Sequence, residues 1–208
     1  MDRLDFSTAT RTQLECIWKA ISEETGDDRF FTTKELDALP KELSPEEQVL
    51  AFASGQLDGN SWLIVLTDER ILFLDKGILF GLKKVSIEIN RISNIESERG
   101  LIFGKIVVGA NGRLYPIEYV WKRTVDPFVN KARHAMRAWA TGERLISPGT
   151  AEALALGQSN PGTDPAPNDN SSAPNSHSSP HYHWNARLGR LRNASVITEA
   201  QYQQDLRS

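Results

Sequence analysis

Apolar residues fall into distinct regimes along this chain, and each regime predicts a different kind of element. Near the N-terminus, Leu14, Ile17, Trp18 and Ile21 recur at helical intervals, which places them on one face of a helix. Thr10 precedes this stripe with Gln13 three positions on, and Gly26 ends it; Thr and Gln at that spacing form a capping box. A second, shorter helix is predicted from Thr32, with Glu35 in the same capping relation and Pro40 as its stop. Residues 1–44 thus read as a helical preface, and its apolar stripe needs a neighbour to pack on. The adjoining segment is the economical candidate.

Between residues 46 and 121 the pattern changes to short β-rich runs broken by turn residues, the sign of a barrel or sandwich. The runs are Gln48–Ser54, Ser61–Thr67, Ile71–Leu74, Lys83–Asn90, Ile92–Glu98, Phe103–Val108 and Leu114–Val120. Asp58-Gly59-Asn60 separates the first pair, Thr67-Asp68-Glu69-Arg70 the second, and Asn111-Gly112 the last. Asn-Gly readily supplies the positive φ angles of a tight hairpin. Val85, Ile87 and Ile89 alternate with Lys84, Ser86, Glu88 and Asn90, so this strand has one buried and one wet face.

The period then lengthens again. Asp126-Pro127 has the form of a helix start, and Phe128, Ala132, Ala135, Met136 and Trp139 follow as an apolar stripe closed by Gly142. Seven strands and one amphipathic helix predict a small barrel whose open corner the helix plugs. Beyond it, residues 142–182 are dominated by Pro, Ser, Asn, Gly and Ala. That composition buries too little apolar surface to offset the entropy of ordering, and predicts a disordered linker. Pattern returns at residues 183–208. Trp184, Leu188 and Leu191 share a stripe, and Thr198 with Gln201 caps a segment carrying Tyr202 and Leu206. Two helices this short hold no core alone, so they are expected to dock on something.

The 208 residues carry a formal net charge of -3, which argues against a dedicated nucleic-acid binder. Cys16 is the only cysteine, so no intrachain disulfide forms, and a reducing compartment fits. The first residues, MDRLDFSTATRTQ, are too polar and acidic for a signal peptide. The apolar runs fall well short of the roughly 20 residues of a membrane-spanning helix. The expectation is a cytoplasmic protein, peripheral to the inner face of a membrane if it meets one at all.

Two stretches resemble known families. Leu43-Ser44-Pro45-Glu46-Glu47, Leu66-Thr67-Asp68-Glu69-Arg70-Ile71, Lys76-Gly77-Ile78-Leu79-Phe80-Gly81, Ile92-Ser93-Asn94-Ile95 and Gly100-Leu101-Ile102-Phe103-Gly104 together resemble the bacterial pleckstrin-homology (YokE-like PH) domain family. The run from Arg187 to Tyr202, with its Ile197-Thr198-Glu199 lead-in to a second helix, resembles the short C-terminal domain called SHOCT. The resemblance implies a mainly β fold with α elements. Its core is a PH-like bent antiparallel barrel of about seven strands at residues 45–141, capped by a C-terminal helix and accompanied by N-terminal helices and a small C-terminal helical pair. The SHOCT-like tail implies oligomerisation, whereas the bacterial PH family has no uniform ligand; the expectation is a non-enzymatic module that binds an unknown protein partner and forms a homo-oligomer.

The most informative local feature is a near-repeat of a base, a glycine, three apolar residues, a glycine and another base. It occurs as Lys76, Ile78, Leu79, Phe80, Lys83 and Lys84 with their glycines, and as Arg99, Leu101, Ile102, Phe103 and Lys105 with theirs. Three readings are open: connections folding back into the barrel, a protein contact, or wedges flanked by cations that meet a membrane surface or anionic lipid. The first hairpin, Gly55-Gln56-Leu57-Asp58-Gly59-Asn60, holds an acid and no base, which weakens a phosphate-gripping role. In the tail, Trp184, Leu188, Leu191, Val196, Ile197 and Tyr202 are the expected contact residues. Lys122, Arg123, Lys131, Arg133 and Arg137 form either a basic patch or a solvated helix face. His177, His181 and His183 sit in polar linker, and no metal or cofactor is expected. A search for a nucleophile with its base, paired carboxylates or a phosphate loop finds none of these.

Overall fold

The computed structural model describes residues 2–26, 33–77 and 81–158. Helix α1 (Arg11–Thr25) starts in the predicted capping box, with Thr10 and Gln13 bonded reciprocally, and ends at Gly26 in the left-handed region, φ 69°. Helix α2 (Thr33–Ala38) passes into a 3-10 turn at Leu39–Lys41 that contains Pro40. Seven strands follow: β1 (Val49–Leu57), β2 (Asn60–Thr67), β3 (Arg70–Gly77), β4 (Gly81–Glu88), β5 (Ile92–Arg99), β6 (Phe103–Ala110) and β7 (Arg113–Trp121). All pairings are antiparallel, in the order β4-β3-β2-β1-β7-β6-β5. Helices α3 (Lys122–Thr141) and α4 (Thr150–Gln158) complete the order. The predicted bent seven-stranded antiparallel sheet with a capping helix and an N-terminal helix is the observed architecture.

Two of the hairpin turns, β1–β2 and β6–β7, obey the expected chemistry. Asp58 and Gly59 take φ 52° and 75°, and Asn111 and Gly112 take 52° and 72°. Two successive positive φ angles match the right-handed twist of the strands they join.

At the β1–β7 pairing the bent sheet divides into a first sheet, β1–β4, and a second, β5–β7, and the first is apolar on both faces. Leu50, Ala53, Ile64, Leu66, Ile71 and Phe73 point into the barrel, together with Ile106, Val108, Ile117 and Val120 of the second sheet and Val125, Phe128 and Ala132 of α3. Val49, Phe52, Leu63, Val65, Leu72 and Leu74 point outward, into a second core built with Leu4, Phe6, Ile17, Trp18, Ile21 and Ala153. The continuous apolar runs of β2 and β3 follow from burial on both sides. The α1 stripe does pack on the barrel, as its amphipathicity requires.

A polar network ties the chain's distant parts together at the β2–β3 turn. Glu47 is fully buried. Its carboxylate accepts hydrogen bonds from Arg70 Nε (2.9 Å) and Nη2 (2.7 Å), Thr67 Oγ1 (2.8 Å) and the Ser44 N–H (2.8 Å). Arg70 Nη2 also donates to the Glu42 carbonyl. Next to it, Gln48 donates its backbone N–H to Asp68 and its side-chain amide to the Leu4 carbonyl, and accepts from Ser147. Arg3 pairs with Asp68. The Ser-Pro-Glu-Glu-Gln and Thr-Asp-Glu-Arg motifs thus latch these segments to one another.

Three expectations need correction. The lid helix begins at Lys122 rather than Pro127, directly out of β7 and without a side-chain cap. Thr124 and Val125 are buried, so the chain must coil at once to seat them; this burial outweighs the backbone bond that Pro127 forgoes. Asp126 caps nothing and pairs with Arg99. Residues 143–158, assigned by composition to the linker, are structured. Ser147 is buried against Gln48, and Ala153 is buried with its carbonyl accepting from Gln13 Nε2 at 3.0 Å. Small residues that look like linker suffice where distant parts of the chain bury and bond them. The rest of the predicted linker and the whole tail lie outside the described residues.

The seam that closes the barrel makes a sharp prediction. A Cβ on Gly55 of β1 would lie 2.7 Å from Ile117 Cγ2 and 2.9 Å from the Glu118 carbonyl oxygen of β7. Gly55→Ala is expected to lower unfolding stability by about 1–3 kcal/mol through overpacking, measured by denaturant melts. An unchanged midpoint would show that the seam yields freely.

Candidate functional site on the outer face of the second sheet

Strand polarity separates the two near-repeat loops. The β1–β2 turn and the paired strand ends Gly77 and Gly81 lie at one end of the first sheet. Strand β7 runs antiparallel to β1 with Glu118 opposite Gln56, which brings the β6–β7 turn to the same end. There Arg113 Nη2 lies 3.9 Å from Asp58 Oδ2 and its guanidinium sits over the Tyr115 ring. The β5–β6 connection falls at the opposite end, beside the start of α3, where Lys122 Nζ donates to the Leu101 carbonyl.

The charges of the two near-repeats are also engaged. Lys84 Nζ is 2.7 Å from Glu42, Arg99 pairs with Asp126, and Lys105 Nζ is 3.8 Å from Glu118. Lys83 is exposed and stands across the ladder from Asp75. Nothing is described of the Lys76 side chain, and Ile78, Leu79 and Phe80 lie outside the described residues. In the second loop Leu101 is 89% exposed, while Ile102 and Phe103 are half-buried. The basic set on α3 disperses in the same way. Lys131 pairs with Glu24, Arg133 donates to the Ile95 carbonyl of edge strand β5, and Lys122 and Arg123 are exposed at the helix start. Trp139, placed by spacing on the buried stripe, is 48% exposed.

The second sheet carries an apolar stripe on its outside that single loops do not reveal. On β6, Ile106, Val108 and Ala110 are buried inward, and Phe103, Lys105 and Val107 alternate to the outside. On β7 a bulge sets the alternation. Gly104 pairs with Val120 and Ile106 with Ile117, so Glu118 and Tyr119 together oppose Lys105. Tyr119 adopts φ 55°, a costly angle for a bulky residue. The extra residue lets Val120 point inward and Trp121 outward; without it, the parity of both would reverse. Phe103 consequently meets Tyr119 and Trp121 edge-on, at 6.3 and 5.7 Å between ring centroids.

Val107 and Pro116, paired across the ladder, extend this stripe towards Leu114, which is 63% exposed. Glu96 and Glu98 of β5 flank it, and among the described residues no cation pairs with either. Asn94 Nδ2 donates to Glu96 at 2.9 Å. Unlike the first sheet, whose outside is sealed by α1 and its neighbours, the second sheet has no layer over its outer face among the described residues.

Sequence reasoning identified Leu101, Phe103 and Lys105 but missed Tyr119, Trp121, Glu96, Glu98 and Glu118. A signal was present. From Leu114 to Trp121 apolar residues occupy both parities of the strand, which marks a strand with apolar residues on both faces.

A bent antiparallel barrel, plugged at one corner by an amphipathic helix, defines a PH-like domain, a fold commonly used as a binding module. Comparison with protein families agrees: residues 43–134 match the model described as the bacterial PH domain. Among solved structures, the chain is similar to a DUF1696 family protein with a pleckstrin-homology domain from Shewanella loihica PV-4. The match has 20% identity and a TM-score of 0.34, and covers 52% of this chain and 97% of that one. It is also similar to a pleckstrin homology domain from Shewanella amazonensis SB2B, at 20% identity and a TM-score of 0.35, covering 50% and 95%. No curated protein matches. Among the described residues no helix is long and apolar enough to cross a membrane.

Proposed function

We propose that this chain is a non-catalytic assembly module of a reducing compartment such as the cytoplasm. Its PH-like domain presents the outer face of the second sheet to protein, and residues 183–208 supply a second contact that makes it a homo-oligomer. The observation that supports this most is the contrast between the two sheets: one outer face is sealed by helices, while at the other Leu101 and Leu114 are exposed and Phe103 and Tyr119 are half-buried. A partly open aromatic cluster on rigid strands is an economical protein contact. Joining it to a second weak contact raises avidity through effective concentration. The anionic-lipid alternative is disfavoured by Lys84, Arg99 and Lys105, each of which faces a carboxylate.

Removing residues 183–208, which include Trp184, Leu188, Leu191, Val196, Ile197 and Tyr202, is expected to reduce the mass measured by light scattering to that of a monomer. An oligomer of unchanged size would overturn the role given to the tail. Vesicles containing anionic lipid are expected not to carry the protein in flotation. Co-flotation abolished by Lys83→Glu with Lys84→Glu would establish the lipid alternative.

A further inference from the structure

We infer that the outer face of the second sheet is the docking site for the arginine-rich segment 184–192 of a second copy of this chain. The inference rests on the self-association proposed above and specifies the surfaces involved. The receiving face is an apolar stripe of Phe103, Tyr119, Trp121, Val107 and Pro116, running along β6 and β7 between carboxylates. From Phe103 to Gly109 it spans roughly 20 Å at about 3.3 Å per residue. Glu96 and Glu98 line one side and Glu118 the other, with Lys105 between Glu98 and Glu118. Because no described cation pairs with Glu96 or Glu98, a basic ligand meets them without displacing an existing ion pair.

Segment 184–192 has the complementary chemistry. Trp184, Leu188 and Leu191 repeat at helical spacing, and Arg187, Arg190 and Arg192 accompany them with no acid in the run. Apolar residues flanked by arginines complement an apolar stripe flanked by carboxylates, and arginine is the cation suited to both carboxylates and aromatic rings. The strained bulge at Tyr119 fits the same account. It is the device that turns Trp121 to the outside, and strained backbone of this kind concentrates at functional positions.

The test is a charge exchange in the full-length chain, read by light scattering across a concentration series. Glu96→Lys with Glu98→Lys changes two exposed side chains that hold no structural cation. Arg187→Glu with Arg190→Glu changes the other partner. Each pair of changes is expected to weaken self-association by about tenfold or more, and more strongly at low salt. Mixing the two variants is expected to restore assembly, since each then offers the face that the other's segment requires. Failure of the mixture to recover would overturn the docking between copies. An oligomer that depends on residues 183–208 but ignores the Glu96/Glu98 reversal would overturn this surface and leave the self-association reading standing. A wild-type chain that is monomeric throughout would sink both.

Discussion

Arg70→Ala is expected to destabilise the protein by about 3–5 kcal/mol, the cost of stranding a buried charge. Arg70 supplies two of the four hydrogen bonds on the Glu47 carboxylate and also binds the Glu42 carbonyl. Without it, a carboxylate in a fully buried residue keeps only the Thr67 hydroxyl and the Ser44 N–H. Replacing both partners, as Glu47→Leu with Arg70→Met, is expected to cost much less, because neither desolvated charge is left behind. A double-mutant cycle in urea measures the difference, and a loss below about 1 kcal/mol for Arg70→Ala would show that water reaches Glu47.

The network also sets a pH dependence. Burial pushes the Glu47 carboxyl up, but the hydrogen bonds from Arg70, Ser44 and Thr67 outweigh it and hold the group below the ordinary glutamate value. Its stabilising contribution is therefore complete above about pH 4.3 and is lost as pH falls through the lower, folded value. The stability gap between wild type and Glu47→Gln is expected to narrow in that acid window. Asp68 next to it behaves oppositely: burial raises its carboxyl despite the bonds from Gln48 and Arg3. Asp68→Asn is therefore expected to cost less than Glu47→Gln at neutral pH.

Trp18→Ala carries the second large expected effect, about 3–5 kcal/mol for truncating a buried aromatic. Trp18 stacks on Phe6 at 5.3 Å and meets Phe52 of β1 edge-on at 5.4 Å. It therefore joins the N-terminal segment, α1 and the outer face of the first sheet in one contact. The loss belongs to the outer core, so amide exchange in α1 and α4 is expected to accelerate more than in β6 and β7. Equal acceleration in both places would mean that the two cores open as one unit.

Local rules made much of this molecule readable from its residues. The capping box at Thr10, the Asn111-Gly112 and Asp58-Gly59 turns and the alternation at Val85 and Ile87 are short-range steric and hydrogen-bonding facts, and the structure keeps all of them. The continuous apolar runs of β2 and β3 likewise contain their own explanation, burial on both faces. Residues 143–158 were not readable in this way. Their composition resembles linker, and only contacts with Gln13 and Gln48, distant along the chain, make them ordered.

The candidate site divides along the same boundary. Leu101, Phe103 and Lys105 stood out as a motif. The paired strand ends of their apparent twin, Gly77 and Gly81, lie at the opposite end of the strands by sheet topology, which no local pattern encodes. A single extra residue at Glu118–Tyr119 decides that Trp121 faces outward beside Phe103, since one step of register exchanges the two faces of a strand. The chain by itself determined which elements form and which of their faces are apolar, because both depend on neighbours within a few residues. Which apolar face is covered and which is left for a partner depends on long-range packing, and only the tertiary structure decided that.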